Sequence, residues 1–168
     1  TAWPTKSIKL IVPYPAGGPV DQLARAIAPK LGEQLGQTII IDNKSGASGT
    51  IGVDATIKAD PDGYTFGFGV PGAITLLPHL QKMPYVVENI NYVSLVARVP
   101  QVIAASPQTK VNTLAELIAL AKKEPGTLNY GSAGNATTPH LGAELLSQEA
   151  GIKLVHVAYK GAAPAVTG

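Results

Sequence analysis

No cysteine occurs anywhere in the 168 residues, which excludes disulfides, thiolate nucleophiles and cysteine metal sites while leaving the compartment open. Charge is sparse. Only 14% of residues are charged, the net charge is +2, and of the basic residues only Lys122 and Lys123 are neighbours. A nucleic-acid surface needs a basic stripe, and none is present, so no nucleic acid is expected as a partner. Aromatics are few as well (one Trp, two Phe and six Tyr), and none interleave with basic residues in the pattern that stacks bases. No run of about 18 apolar residues exists, so direct membrane insertion is not expected. The opening Thr-Ala-Trp-Pro lacks a basic region and an apolar stretch, so no signal peptide is expected; a processed export product would look the same. His79, His140 and His156 have no metal-ligand spacing, and Ser45, Ser48 and Ser132 lie outside any G-x-S-x-G elbow. Neither a metal nor a cofactor is expected.

What is present is a core-forming chain: 45% apolar residues and a mean hydropathy of +0.17 argue against disorder. Ile8–Val12 is an apolar run rich in Ile and Val, the mark of a strand buried on both faces. A helix opens at Val20 or Asp21, carries Leu23, Ala24, Ile27, Leu31 and Leu35 at helical spacing, and closes at Gly36. Pro29 inside it is expected to kink it. Thr38–Asp42 reads as a second strand, about Thr50 to Ala59 as a helix, and Tyr64–Val70 as a third strand after the Asp60-Pro-Asp-Gly63 turn. This β-α-β-α-β alternation predicts a parallel sheet with helices on its faces. Ala73–Leu80 reads as a short helix. Tyr92–Ala97 and Val102–Ala105 read as strands around Arg98-Val-Pro100, a candidate crossing between domains. Thr113-Leu-Ala-Glu116 is a capping box for a helix ending near Lys123. Leu128–Ser132 is a strand, Thr138-Pro139 starts a helix that ends at Ala150-Gly151, Leu154–Val157 is a strand, and Tyr159–Pro164 turns into another helix.

Strand, small-residue turn and helix recur. Gly17-Gly18, Ser45–Gly49, Gly131–Thr138 and Gly161–Pro164 each follow a predicted strand, and in a parallel sheet those strand ends share one edge, where ligands bind. Helix N-termini and glycine amides there attract anions without a charged side chain. Each turn alone also reads as an ordinary tight connection. Gly67-Phe-Gly-Val-Pro-Gly72 matches G-x-G-x-x-G, but it starts inside the third strand and reads as small residues at a strand end. Asp21 either contacts a ligand amine or water, or caps its own helix. Lys160 beside Gly161 reads as an anion attractor or a solvated lysine.

Taken in order, several pieces of the chain resemble the Bug-type periplasmic solute-binding proteins of tripartite tricarboxylate transporters. They are Trp3-Pro4, Ile8–Gly18 with Asp21, Leu35–Asn43, Gly46–Gly49 with Gly52, Ala59–Thr65, Gly131–Gly134 with His140, and Tyr159–Ala165. The resemblance implies an α/β fold of the Venus-flytrap type with mostly parallel sheets. It implies a first domain over residues 1–98 that lacks its C-terminal return, and a partial second domain over 99–168. Members of that family bind small carboxylates, some amino acids or related metabolites, pass them to a membrane permease, and are not enzymes. From the first domain the ligand-facing positions it implies are Tyr14, Ala16, Gly17, Gly18 and Asp21, then Ser45, Gly46 and Ala47. From the second they are Ser132, Gly134, Asn135, Thr137 and His140, then Tyr159, Gly161 and Ala162. Gly17, Gly18, Ser132 and Thr137 are the expected donors, Asp21 a polar orienter, and Tyr14 and Tyr159 the walls. Hinge closure is expected near Arg98–Gln101.

Two departures stand out. Ala136 replaces a glycine common in the family, and the family's members are nearly twice this length. The chain therefore reads as a truncated member, and a homo-oligomer formed with a second copy would cover the open edges of an unfinished sheet. The alternatives are an α/β enzyme fragment using a phosphate-bearing or acyl substrate, and an assembly fragment that binds nothing.

Overall fold

A computed structural model of the chain describes residues 2–168. Two parallel sheets form. The first holds β1 (Ile8–Val12), β2 (Ile39–Asn43) and β3 (Thr65–Gly67) in the order β2-β1-β3, and the second pairs β4 (Asn129–Ser132) with β5 (Val155–Ala158). Ile8 faces Ile39 and Val12 faces Asn43 in register, while Leu10 faces Phe66 across the other side of β1. β1 is therefore the central strand, and Ile8, Ile11 and Val12 on it are buried, as its apolar run requires. Helix α1 (Pro19–Leu35) packs Ala24 against Leu10 and Val12. On the other side, Val53 of α2 (Thr50–Ile57) meets Val70, Ala73, Ile74 and Tyr85. The Tyr85 hydroxyl donates to the Ala73 carbonyl at 2.7 Å, which satisfies the polar tip of a buried ring.

The helix ends follow their local chemistry. Gly18 caps α1 with Pro19 as its first residue, and Gly36 ends it in the left-handed conformation (φ 66°). The helix continues through Pro29. In α3 (Leu114–Lys123) the Thr113 hydroxyl accepts from the Glu116 amide, and the Glu116 carboxylate reaches back to accept from the Asn112 amide. Helix α4 (Thr138–Ala150) takes Thr137 as its cap, one residue before the expected Thr138, and α5 (Ala162–Thr167) starts straight after Gly161.

Three expectations are corrected. The strand expected over Tyr64–Val70 is only three residues long, because Phe68 onward leaves β1 after its amide bonds to Ile11. The helix expected over Ala73–Leu80 is two short irregular turns, Gly72–Leu76 and Leu77–His79. The strands expected at Tyr92–Ala97 and Val102–Ala105 do not form: residues 91–106 have no regular structure up to the turn at Pro107. A strand needs a neighbour for its N–H and C=O groups, and no neighbour lies beside this segment among the described residues. Its apolar side chains stay in solvent, with Val93 79% and Val102 85% exposed.

Candidate functional site

The C-terminal ends of β1, β2, β4 and β5 open into four loops that converge on one cleft of about 350 Å³. The first sheet contributes Tyr14 and Pro15 from one loop and Ser45–Gly49 from another. The second sheet contributes Ala133, Gly134, Tyr159 and Lys160. The two sides touch. The Ser48 hydroxyl donates to the Asn135 carbonyl at 2.7 Å, and a Cβ added to Gly134 would lie 3.1 Å from Ser48 Oγ. A shallower groove of about 660 Å³ lies between α1 and the edge strand β2. It is open to solvent and away from the strand ends that meet at the cleft.

Small residues are what allow the loop after β2 to take its shape. All four residues from Gly46 to Gly49 have positive φ. Gly46 and Gly49 adopt this freely, whereas Ala47 (φ 46°) and Ser48 (φ 54°) each carry a cost of about 1–2 kcal/mol. Such strain is retained where surrounding contacts over-determine it, and it concentrates at functional sites. A Cβ on Gly52 would sit 2.6 Å from Pro13 and 2.9 Å from the Lys44 carbonyl, so α2 presses directly on the loops leading into the cleft.

The loop after β1 is held from behind by a buried carboxylate. Asp21 is 1% exposed. Its Oδ2 accepts from Arg25 Nε at 2.9 Å and from the Gly17 amide at 2.8 Å, and its Oδ1 accepts from Asn43 Nδ2 at 2.9 Å. Asn43 also donates to the Tyr14 carbonyl and accepts from Arg25 Nη2. Both ends of the loop 14–17 are thereby tied to one network. The Arg25 bond, then the Gly17 amide, holds the Asp21 carboxyl at a pKa of about 2. Tyr14 faces the cleft, and burial pushes its phenol up.

Beneath the loop after β4, Ser132 (1% exposed) accepts from the Gly134 amide and bonds His156 Nε2 at 2.6 Å. Thr137 (2% exposed) donates to the Gly134 carbonyl at 2.7 Å, and the Ala136 amide donates to His140 Nδ1 at 3.0 Å. Ala136 is left-handed (φ 54°), where a glycine would carry no penalty.

Of the positions expected to face a ligand, Tyr14, Ser45, Gly46, Ala47, Gly134 and Tyr159 line the cleft. Ala16, Gly17, Gly18, Gly161 and Ala162 belong to the same turns but lie outside its lining, and Asn135 sits at the contact with Ser48. The Gly17 amide, an expected ligand donor, is occupied by Asp21, and the Gly18 amide faces the Pro15 carbonyl at 3.4 Å. Asp21, Ser132, Thr137 and His140 stand behind the loops and shape them. Pro15, Ser48 and Ala133 also line the cleft, and so does Lys160, read from the sequence as an anion attractor or a solvated lysine, two residues past the end of β5. The amides of Ser45, Gly46, Ala133 and Lys160 have no intramolecular acceptor among the described residues, and no carboxylate belongs to the lining. Lys160 is the lining's one basic side chain, and no carboxylate of the described residues lies within 4 Å of it.

Amide donors and a lysine facing a cleft at the strand ends of two parallel sheets define an α/β solute-binding architecture of the periplasmic-binding-protein type. The chain belongs to the tripartite tricarboxylate transporter receptor family: the pattern described as "Tripartite tricarboxylate transporter family receptor" matches residues 23–168. The protein BugT of Bordetella pertussis is 37% identical over 170 residues, covering 98% of this chain and 51% of BugT. A UPF0065 protein of the same organism is 38% identical over 160 residues, covering 95% of this chain and 50% of the relative. Among solved structures, R. palustris Rpa4515 with adipate superposes with a TM-score of 0.93 at 37% identity, over 99% of this chain and 56% of that one. MatC from Rhodopseudomonas palustris with bound malate gives 0.81 at 26% identity, over 98% and 57%. The chain thus spans about half the length of the relatives it matches.

Proposed function

We propose that this chain carries the ligand-gripping loops of an extracytoplasmic, periplasmic receptor that captures a small dicarboxylate and delivers it to the membrane permease of a tripartite tricarboxylate transporter. In this reading residues 1–98 and 99–168 act as the two sides of a clamp, with residues 98–101 as the hinge. The observation that carries it is the composition of the cleft: N–H donors without acceptors, one unpaired lysine, and no carboxylate. Each charge-assisted hydrogen bond from such a donor to a carboxylate contributes about 1.5–3 kcal/mol. Tyr14, Pro15, Ala47 and Tyr159 supply apolar walls for the carbon chain between two acid groups. Adipate and malate, the ligands named with two structural neighbours, are both of this class.

Isothermal calorimetry with adipate, malate and hexanoate tests the reading. Adipate or malate is expected to bind, with hexanoate weaker because it offers one carboxylate to the donors. Hexanoate binding as tightly as adipate, or no heat from any of the three acids, would refute it.

A further inference from the structure

Two histidines support the loop over residues 133–137 without lining the cleft. His140, in the first turn of α4, stacks on His156 of β5 with ring centroids 4.1 Å apart and planes at 17°. Tyr130 of β4 stacks on His156 in turn, at 4.9 Å and 22°. Glu144 of α4 closes the group: Tyr130 donates to its Oε1 at 2.7 Å, and the same oxygen lies 3.9 Å from His140 Nε2. Each ring also turns one nitrogen to the loop. His140 Nδ1 accepts from the Ala136 amide at 3.0 Å, and His156 Nε2 meets Ser132 Oγ at 2.6 Å.

The Ala136 bond fixes a tautomer. An N–H can point at Nδ1 only if that nitrogen keeps its lone pair, so neutral His140 carries its proton on Nε2, toward Glu144. A second proton must go to Nδ1. It would set an N–H against the Ala136 N–H and remove the acceptor that holds a residue with φ of 54°. The Ser132 bond is less exposed to this. Ser132 Oγ can accept from His156 or donate to it, since the Gly134 carbonyl at 3.1 Å takes the hydroxyl proton in the first case.

We propose that His140, backed by His156, is a positioning residue of the carboxylate-holding loop, and that protonation of His140 releases that loop and with it the ligand. The proposal rests on the reading that the Ala133 amide, in this loop, helps hold a carboxylate. Stacking allows the pair one added proton, because two imidazolium rings at this separation repel. Burial, then the neighbouring His140, pushes His156 down, and it is His140 whose Nε2 lies 3.9 Å from the Glu144 carboxylate. Glu144, on the same helix, offers a charged His140 ring a carboxylate partner.

The experiment is NMR on the ¹⁵N-labelled full chain between about pH 8 and pH 5, the range in which imidazole titrates. The Nδ1 resonance of His140 should move from the bare to the protonated position, and the protection factor of the Ala136 amide should fall at least about tenfold in the same step. The Ile11 amide in β1 should keep its protection. Adipate affinity measured by calorimetry should weaken about tenfold across that step. In His140→Asn, whose Oδ1 keeps an acceptor near the Nδ1 position and does not titrate, adipate affinity should be flat with pH. Glu144→Gln should move the wild-type step to lower pH. Ala136 protection that is constant with pH while adipate binds, or a His140→Asn profile identical to wild type, overturns the proposal alone. Absence of adipate and malate binding at every pH instead overturns the carboxylate reading of the cleft, and the ligand-release half of the proposal with it.

Discussion

Replacing Asp21 by Asn tests whether a buried carboxylate sets the shape of the first ligand loop. The substitution keeps size and shape, yet only one of the two terminal atoms remains an acceptor. Placed at the Oδ2 position, the amide oxygen still meets the Gly17 amide and Arg25, but without its charge. Two charge-assisted bonds then become ordinary ones, a loss of about 1 kcal/mol each. The new NH₂ points at Asn43 Nδ2, a donor. Asn43 resists flipping because its other contacts, to the Tyr14 carbonyl and from Arg25 Nη2, require its present orientation. One buried donor therefore goes unsatisfied, at about 1–3 kcal/mol more. The sum is about 3–5 kcal/mol, which for a chain of this size lowers the melting temperature by about 6–20 °C. The pH dependence carries its own sign. The folded carboxyl, at about 2, lies below its ordinary value of 3.8. Its contribution is therefore complete above that ordinary value and is lost as pH falls toward about 2. The urea midpoints of wild type and Asp21→Asn should be far apart near neutral pH and draw together in acid. A destabilisation under about 1 kcal/mol near neutrality, or a gap that does not close in acid, would refute the network as the loop's anchor.

Three further substitutions probe the cleft. Gly52→Ala places a methyl against the backbone of Pro13 and Lys44, so it should cost about 1–3 kcal/mol and lower the urea midpoint; an unchanged midpoint would show that α2 has room. Lys160→Met should weaken adipate about fivefold to tenfold, less so at high salt because the lysine is exposed, and should leave hexanoate little changed; equal losses for both acids would show that the lysine does not read the second carboxylate. Ser48→Ala removes a side-chain hydrogen bond that joins the two sides of the cleft and should weaken adipate by about 1 kcal/mol in calorimetry, with thermal stability barely affected; unaltered affinity would show that the contact is incidental to binding.

The parts of this fold that the sequence makes legible are those decided within a few residues. β1 is where its Ile/Val run puts it, the Gly36 and Gly151 ends of α1 and α4 are left-handed turns, and Thr113 caps α3. Boundaries shift by a residue or two where a neighbour decides, as in β2, which starts at Ile39 rather than Thr38 because it is paired to Ile8. The larger failures have one cause. Residues 92–97 and 102–105 have strand composition, but strand formation depends on a partner that composition does not encode. The site behaves the same way. That four turns converge follows from parallel strands sharing one edge. Which atoms in those turns remain free does not, because that depends on what stands behind them. Gly17 looks like a donor until Asp21 folds back onto its amide, and Lys160, open in the sequence between an anion attractor and a solvated lysine, lines the same cleft as Tyr14 and Ser45.

The distribution of charge over these layers has a consequence for how such a cleft can be controlled. The lining carries backbone amides, hydroxyls and one lysine, and no imidazole or carboxylate. The carboxylates and imidazoles stand one layer back: Asp21 behind the loop after β1, and the His140–His156 pair with Glu144 behind the loop after β4. Acid therefore acts on the cleft by moving its donors rather than by neutralising them. The two supports respond at different points. Asp21, held at about 2, keeps its loop in place far into acid, whereas an added proton on His140 Nδ1 takes the acceptor from the Ala136 amide. Mild acidification should consequently loosen one jaw while the other holds its shape. Ligand affinity should thus fall in a single histidine-like step, with no second step until the fold itself begins to lose Asp21.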